Sequence, residues 1–111
     1  MATGYEIAVQ FAMALTDKFS DDPAFGTYVG PPSYTVDKGR TYHRIVQHDA
    51  GGSRSVHAFV DNAGRLIKSA GWKGPQRDKD GLAVRYDLST PHGFMDALDA
   101  ATWHGGYLYA K

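Results

Sequence analysis

Apolar residues recur at every fourth position near the start of the chain, at Ile7, Phe11, Leu15 and Phe19. This spacing places the four side chains on one face, so it predicts an amphipathic helix from Gly4 to Phe19. Thr3 and Glu6 have the spacing of a capping box at its start. Pro23 ends the helix, because proline disfavours helical geometry in the residue before it.

The middle of the chain alternates apolar and polar residues between turn signals, a pattern that is typical of strands. The predicted strands are Ser33–Val36, Thr41–Gln47, Ser53–Asp61, Arg65–Ala70 and Leu82–Leu88. Asn62-Ala63-Gly64 is a short connection of the kind that joins antiparallel partners, so residues 53–61 are expected to pair with residues 65–70. Residues 71–81 contain glycine, proline and charged side chains, and we expect a loop there.

Thr90-Pro91 predicts the start of a second helix, because threonine caps helices and proline is favoured at the first helical position. The helix extends to about Ala101, and residues 105–109 are expected to form a short terminal strand. The fold class is therefore α+β. It consists of an N-terminal helix, an antiparallel meander of three or four strands, a short C-terminal helix and the terminal strand, in a single domain over residues 1–111.

Composition narrows the class of protein. With 42% hydrophobic residues in 111, the chain has enough apolar surface to fold. Cysteine is absent, which excludes disulfides and thiolate chemistry and fits a reducing cytoplasm. No segment approaches about 18 uninterrupted apolar residues, and no signal peptide is recognisable, so we expect no membrane association.

Candidate catalytic groups are sparse. The five histidines lack zinc-signature spacing, and the chain has neither a nucleophile elbow nor a phosphate-binding glycine loop. His43 and His57 alternate to the same predicted sheet face and form the one plausible pair for a metal or for acid–base chemistry. Strand histidines held by hydrogen bonds are more common, so we predict no enzyme activity, no catalytic residues, no metal and no cofactor.

Charge is distributed unevenly along this neutral chain. Residues 1–37 contain one basic and five acidic side chains, residues 38–85 ten and four, and residues 86–111 one and three. Basic side chains beside aromatic rings are typical of single-stranded nucleic-acid surfaces, where cations bind phosphates and rings stack on bases. The candidate nucleic-acid-binding residues are Arg40, Tyr42, Arg44, Lys68, Trp72, Lys73, Arg77, Lys79 and Arg85. For the Trp72 ring itself we favour a place at the edge of the core, with base stacking as the alternative.

Two stretches resemble sequences known elsewhere: Val56-His57-Ala58-Phe59-Val60-Asp61 and Ala70-Gly71-Trp72-Lys73-Gly74-Pro75. With residues 38–46, 84–88 and 106–109 they make the chain similar to a group of small, uncharacterised accessory proteins encoded by bacteriophages and prophages. The resemblance covers most of residues 38–109 and departs from the group at residues 76–82, where the loop is longer. It implies a phage accessory protein in the cytoplasm of the host bacterium and carries no catalytic residues with it.

Two functions remain open at this point. The first is a phage accessory module that binds nucleic acid through the Trp72 loop and the neighbouring strands. The alternative is a protein-binding module that modulates a host factor without catalysis, because tyrosine and tryptophan are favoured anchors of protein interfaces. The aromatic residues considered for that interface are Tyr28, Tyr34, Trp103 and Tyr107.

Overall fold

A computed structural model describes residues 3–20, 30–78, 81–102 and 106–108. Two helices, α1 (Gly4–Ser20) and α2 (Pro91–Ala100), flank a region of short strands, and a 3-10 turn (Gly106–Leu108) follows α2. The strands are β1 (Ser33–Asp37), β2 (Tyr42–His48), β3 (Arg54–Asp61), β4 (Arg65–Ile67), β5 (Ser69–Gly71), β6 (Gly74–Pro75), β7 (Arg77–Asp78), β8 (Gly81–Leu82) and β9 (Val84–Asp87). The predicted α+β class is confirmed.

The main sheet has five strands in the order β1-β2-β3-β4-β9, and all neighbours are antiparallel. It is therefore one or two strands wider than the predicted meander of three or four, because the chain returns beside β4 after two small hairpins. The predicted pairing across residues 62–64 is confirmed by the pairs Phe59–Ile67 and Val60–Leu66. Gly64 adopts the left-handed φ of 86° that this turn requires.

Helix α1 begins with the predicted capping box. The Thr3 backbone N–H donates to Glu6 Oε1 at 3.0 Å, and the Glu6 N–H donates to Thr3 Oγ1 at 3.1 Å. The proposed stop at Pro23 lies outside the described residues. Helix α2 begins where Thr90 predicts, since the Gly93 N–H donates to Thr90 Oγ1 at 3.0 Å.

Both helices pack on one face of the sheet, here called the inner face, and bury the main hydrophobic core. Its fully enclosed members are Ala8, Phe11, Leu15, Ile45, Ala58, Val60, Leu66 and Ala97. Phe11 and Phe94 meet edge to face across the helix pair, with ring centroids 5.4 Å apart. The Lys18 ammonium joins the helices by donating to the carbonyls of Leu98, Asp99 and Ala101 at the end of α2.

Two β-bulges change the orientation of side chains in the sheet. In β3, Ala58 pairs with Ile45 and Val56 with Val46, so His57 is the extra residue. In β9, Tyr86 pairs with Leu66 and Val84 pairs with Ile67, so Arg85 is the extra residue.

Both bulge residues contact the C-terminal 3-10 turn. A His57 ring nitrogen lies 2.6 Å from the Tyr107 hydroxyl, and Arg85 Nε donates to the Leu108 carbonyl at 2.7 Å. The terminal strand predicted over residues 105–109 is therefore wrong for 106–108, where the chain turns to meet these two side chains.

Part of the segment predicted as a loop packs on the opposite, outer face of the sheet. Two short antiparallel pairs, β5–β6 and β7–β8, form the hairpins of this segment. Both hairpins start from a ring of three backbone hydrogen bonds, 2.8 to 3.1 Å long. The Lys68 N–H donates to the Ala83 carbonyl, the Ala83 N–H donates to the Gln76 carbonyl, and the Gln76 N–H donates to the Lys68 carbonyl. The first hairpin contacts β2 and β3. Phe59 and Ile67 are buried on this side of the sheet, outside the helix-side core.

Candidate nucleic-acid-binding surface

Trp72 lies at the tip of the β5–β6 hairpin, in the turn between Gly71 and Gly74. Its side chain is 41% exposed, so our expectation that it fills the edge of the core is wrong. The reason is that Phe59 and Ile67 already bury the apolar surface of the outer face. The hairpin consequently presents the indole ring to solvent.

Two arginines from neighbouring strands flank the indole. The guanidinium carbon of Arg44, on β2, lies 5.4 Å from the ring centroid, and that of Arg54, on β3, lies 5.7 Å away. Both distances fall within the range of a cation–π interaction. Three segments distant in sequence thus build one cluster, here called the Trp72 cluster: Arg44, Arg54 and Trp72.

The Arg44 guanidinium is only weakly paired. Its Nε lies 3.8 Å from Asp37 Oδ2, which is an ion-pair distance but too long for a hydrogen bond. Within the described part of the chain this buried Nε has no hydrogen-bond partner. Asp37 therefore offsets part of the positive charge of Arg44 but does not bind it in a bidentate pair.

The other predicted residues divide between this cluster and other parts of the molecule. Lys73 is exposed beside Trp72, and Arg77 is exposed on β7. The Lys68 ammonium donates to the side-chain oxygen of Gln76 at the base of both hairpins. These three cations therefore lie on or beside the two hairpins.

Three predicted residues are not members of the Trp72 cluster, and a fourth is not described. Arg85 points to the C-terminal turn through its bond to the Leu108 carbonyl. Arg40 precedes β2, and Tyr42 begins it opposite Asp61, two residues before Arg44. Lys79 lies outside the described residues. The predicted set of nine therefore contains part of the cluster and omits Arg54.

Arg54 was missed because its relation to Trp72 depends on register. It pairs with His48 at the end of the β2–β3 hairpin, on the far side of the bulge from Arg44. The sequence feature that could have identified Arg54 is its basic side chain within a predicted strand. Alternation alone does not align it with Arg44, because the bulge shifts the phase of β3 by one residue.

The two histidines considered as a pair bind different groups. His43 accepts the Gly39 N–H at Nδ1 and lies 2.8 Å from Asn62 Oδ1 through Nε2. His57 contacts Tyr107, and its burial lowers its pKa to about 4. The described residues hold no group of three or more metal-ligating side chains. Both rings therefore have structural partners.

Of the four aromatic residues considered for a protein interface, Tyr34 and Tyr107 lie in the described part of the chain. Tyr34 is buried, where its hydroxyl donates to Gln47 Oε1 at 3.1 Å. The Tyr107 ring packs against His57 and Tyr86. Burial raises the pKa of both tyrosines. Tyr28 and Trp103 lie outside the described residues.

A model of a family of unknown function, DUF7717, matches residues 6–110. The chain belongs to the DUF7717 family. No curated protein and no solved structure matches it. The match spans both helices, the sheet and the Trp72 hairpin, so the cluster lies within the DUF7717 domain. The family has no assigned activity.

Neither described helix of this DUF7717 member combines the length and the apolar character that crossing a bilayer requires. Helix α1, the longer of the two, has 17 residues.

Proposed function

We propose that this DUF7717 protein binds single-stranded nucleic acid on the outer face of its sheet. The observation that supports this most directly is the half-exposed Trp72 ring with two guanidinium groups within 5.7 Å of its centroid. An exposed aromatic ring provides a stacking surface for a base, and nearby cations bind the phosphates on either side of that base.

A single strand fits the cluster better than a duplex does. The bases of a duplex are stacked on one another, so an indole at a hairpin tip reaches a base face only where the strand is unpaired. The outer face also offers no helix to enter a major groove, because both described helices pack on the inner face.

Electrostatics favours the same face. Lys68, Lys73 and Arg77 lie on or beside the two hairpins, and Lys73 is next in sequence to Trp72. Phosphate binding by such a group releases counterions, so affinity is expected to depend strongly on salt although the whole chain is neutral. The resemblance to phage accessory proteins is consistent with a ligand in the bacterial cytoplasm, and we extend the proposal to that setting.

The proposal is tested by fluorescence anisotropy with labelled single-stranded DNA and RNA of about 20 nucleotides, long enough for more than one binding register. Trp72→Ala should weaken binding about 5- to 150-fold through lost stacking, which is worth about 1 to 3 kcal/mol. Its thermal unfolding should change little, since the ring is half exposed. Arg54→Gln should weaken binding and lower the salt slope by about one unit.

Lys38→Gln is the matched control for the loss of one cation, because the Lys38 ammonium lies over the Tyr5 ring of α1, a helix that packs on the inner face. It should leave the slope close to that of the parent. The proposal is wrong if the parent binds neither nucleic acid at about 50 mM salt, where electrostatic binding is strong. It is also wrong if Trp72→Ala binds as tightly as the parent.

A further inference from the structure

A groove separates the first half of α1 from the start of α2, on the side of the sheet opposite the Trp72 cluster. It encloses about 460 Å³. Its floor and walls are mainly apolar, and the side chains that define it are Ile7, Gln10, Leu88, Thr90, Phe94 and Met95. A volume of this size accommodates several apolar side chains of a partner.

Exposed apolar surface continues from the groove onto the helices. Of the three large apolar residues that are exposed in the described part of the chain, two are methionines on the helices, Met95 at 52% and Met13 at 63%. Met95 lines the groove, and Met13 lies one turn along α1 from Gln10, which also lines it. Methionine adapts its shape to different partners and is common on surfaces that bind amphipathic helices.

The two helices that border the groove carry a net negative charge. The two helices carry four carboxylates, Glu6, Asp17, Asp96 and Asp99. They carry one ammonium, on Lys18, which donates to the carbonyls at the end of α2. Helix α2 contains no lysine or arginine, and its His92 ring lies 3.2 Å from Asp96. Glu6 and Asp96 are next in sequence to the groove residues Ile7 and Met95, whereas Asp17 and Asp99 lie further along the helices. A partner that fills the groove and extends along both helices therefore meets an apolar floor and a surface of net negative charge.

We infer that this groove docks a basic amphipathic helix of a partner protein. The apolar side of that helix, spaced at i, i+3 and i+4, fills the groove, while its lysines and arginines face the carboxylates. A helix suits the site because the lining comes from side chains of α1 and of residues 88–95. Such side chains form ridges on which another helix can pack, whereas a strand would need free backbone groups to pair with. This surface is separate from the proposed nucleic-acid site and goes beyond it.

The test uses a fluorescent peptide of leucine and lysine with helical amphipathic spacing, and two control peptides. One control has the same composition in scrambled order, and the other has glutamate in place of lysine. The parent protein should bind the first peptide at least about tenfold more tightly than either control, because only that peptide combines an apolar face with positive charge.

Two variants separate the apolar contact from the charge. Met95→Asp adds a negative charge, so pure charge attraction predicts tighter binding of the basic peptide. Loss of the apolar anchor predicts about tenfold weaker binding, as expected for removing one buried side chain. The double variant Asp96→Asn, Asp99→Asn should weaken binding severalfold and flatten its salt dependence. Trp72→Ala is the control on the opposite face and should bind the peptide as the parent does.

The inference fails if Met95→Asp binds as tightly as the parent or more tightly, because the attraction is then only electrostatic. It also fails if the scrambled or acidic peptide binds as well, or if the parent binds no peptide. Sedimentation of the protein alone covers one further case. A dimer that Met95→Asp dissociates would show that a second copy occupies the groove and would overturn the assignment of a foreign helix.

Discussion

The buried imidazole of His57 makes the stability of the fold depend on pH. The ring packs against the rings of Tyr34 and Tyr107, at centroid distances of 5.2 and 5.5 Å, and contacts the Tyr107 hydroxyl. This environment is poor in water, so it disfavours the charged imidazolium and lowers the pKa from 6.5 to about 4.

The sign and size of the effect follow from linkage. Between pH 6.5 and 4 the unfolded chain holds a proton on this imidazole that the folded chain does not, so stability falls as the pH falls. Each unit of difference corresponds to about 1.4 kcal/mol, which gives a loss of about 3 kcal/mol by pH 4. The contribution is fully present above about pH 6.5, and no further loss arises from this group below the folded pKa.

The assay is urea unfolding followed by circular dichroism between pH 7 and pH 4.5. This range avoids most of the acid titration of Glu6 and Asp87. Hydrogen bonds, from Thr3 to Glu6 and from Ser89 to Asp87, lower the pKa of both carboxyl groups. The free energy of unfolding should fall by about 1.4 kcal/mol for each pH unit below about 6.

The control is His57→Gln, which keeps a side-chain amide near the Tyr107 hydroxyl but cannot take up a proton in this range. It should be less stable than the parent at pH 7, and the part of the pH slope that belongs to His57 should disappear. Equal slopes in the parent and the variant would refute the argument, because the imidazole would then titrate alike in the folded and unfolded chain.

Two further predictions concern how α1 is held in place. Lys18→Met removes the ammonium that caps the α2 carbonyls. Urea unfolding should show that the free energy of unfolding falls by about 1 kcal/mol. The control Lys73→Met, at the hairpin tip, should leave the free energy of unfolding almost unchanged. Gly4→Ala should destabilise the fold by about 1 to 3 kcal/mol in the same assay, although alanine favours helices, because a Cβ there would lie 2.2 Å from the Asp61 carbonyl oxygen. Gly51→Ala, where a Cβ meets no atom within 4 Å, is its control, and equal effects of the two alanines would contradict the close-packing argument.

Sequence reasoning works best where structure is determined locally. The apolar spacing of α1 and the Thr3–Glu6 box involve residues three or four positions apart, and both are confirmed. The Thr90 cap is confirmed for the same reason. The turn after Asp61 also depends on adjacent residues, since its carboxylate accepts the backbone N–H groups of Ala63 and Arg65.

Features that depend on register were not predicted. The bulge at His57 turns its ring to the inner face, where it contacts Tyr107, fifty positions along the chain. The alternation of polar and apolar residues in β3 contains no sign of this extra residue. The terminal segment was expected to be extended, but its conformation is determined by the bulge residues His57 and Arg85.

The candidate site was predicted in part. Trp72 and Arg44 were selected because basic and aromatic residues recur together, and the structure brings these two side chains together. The exposure of Trp72 was predicted wrongly, because it depends on which other side chains fill the outer face. Phe59 and Ile67 fill that space through cross-strand pairing, and sequence spacing alone does not specify their partners.

The ring of hydrogen bonds among Lys68, Gln76 and Ala83 gives the domain a place where its length can change. The β7–β8 hairpin leaves this ring at residue 76 and returns at residue 83, where the Ala83 N–H donates to the Gln76 carbonyl at 2.9 Å. A longer or shorter segment between residues 76 and 83 would still begin and end at the same hydrogen bond. Doubling the length of such a loop costs only about 0.6 kcal/mol of loop-closure entropy. Natural variation in chain length and engineered insertions, such as an epitope or a lanthanide-binding loop, are therefore expected to be tolerated between residues 78 and 81, while the Trp72 hairpin keeps its position.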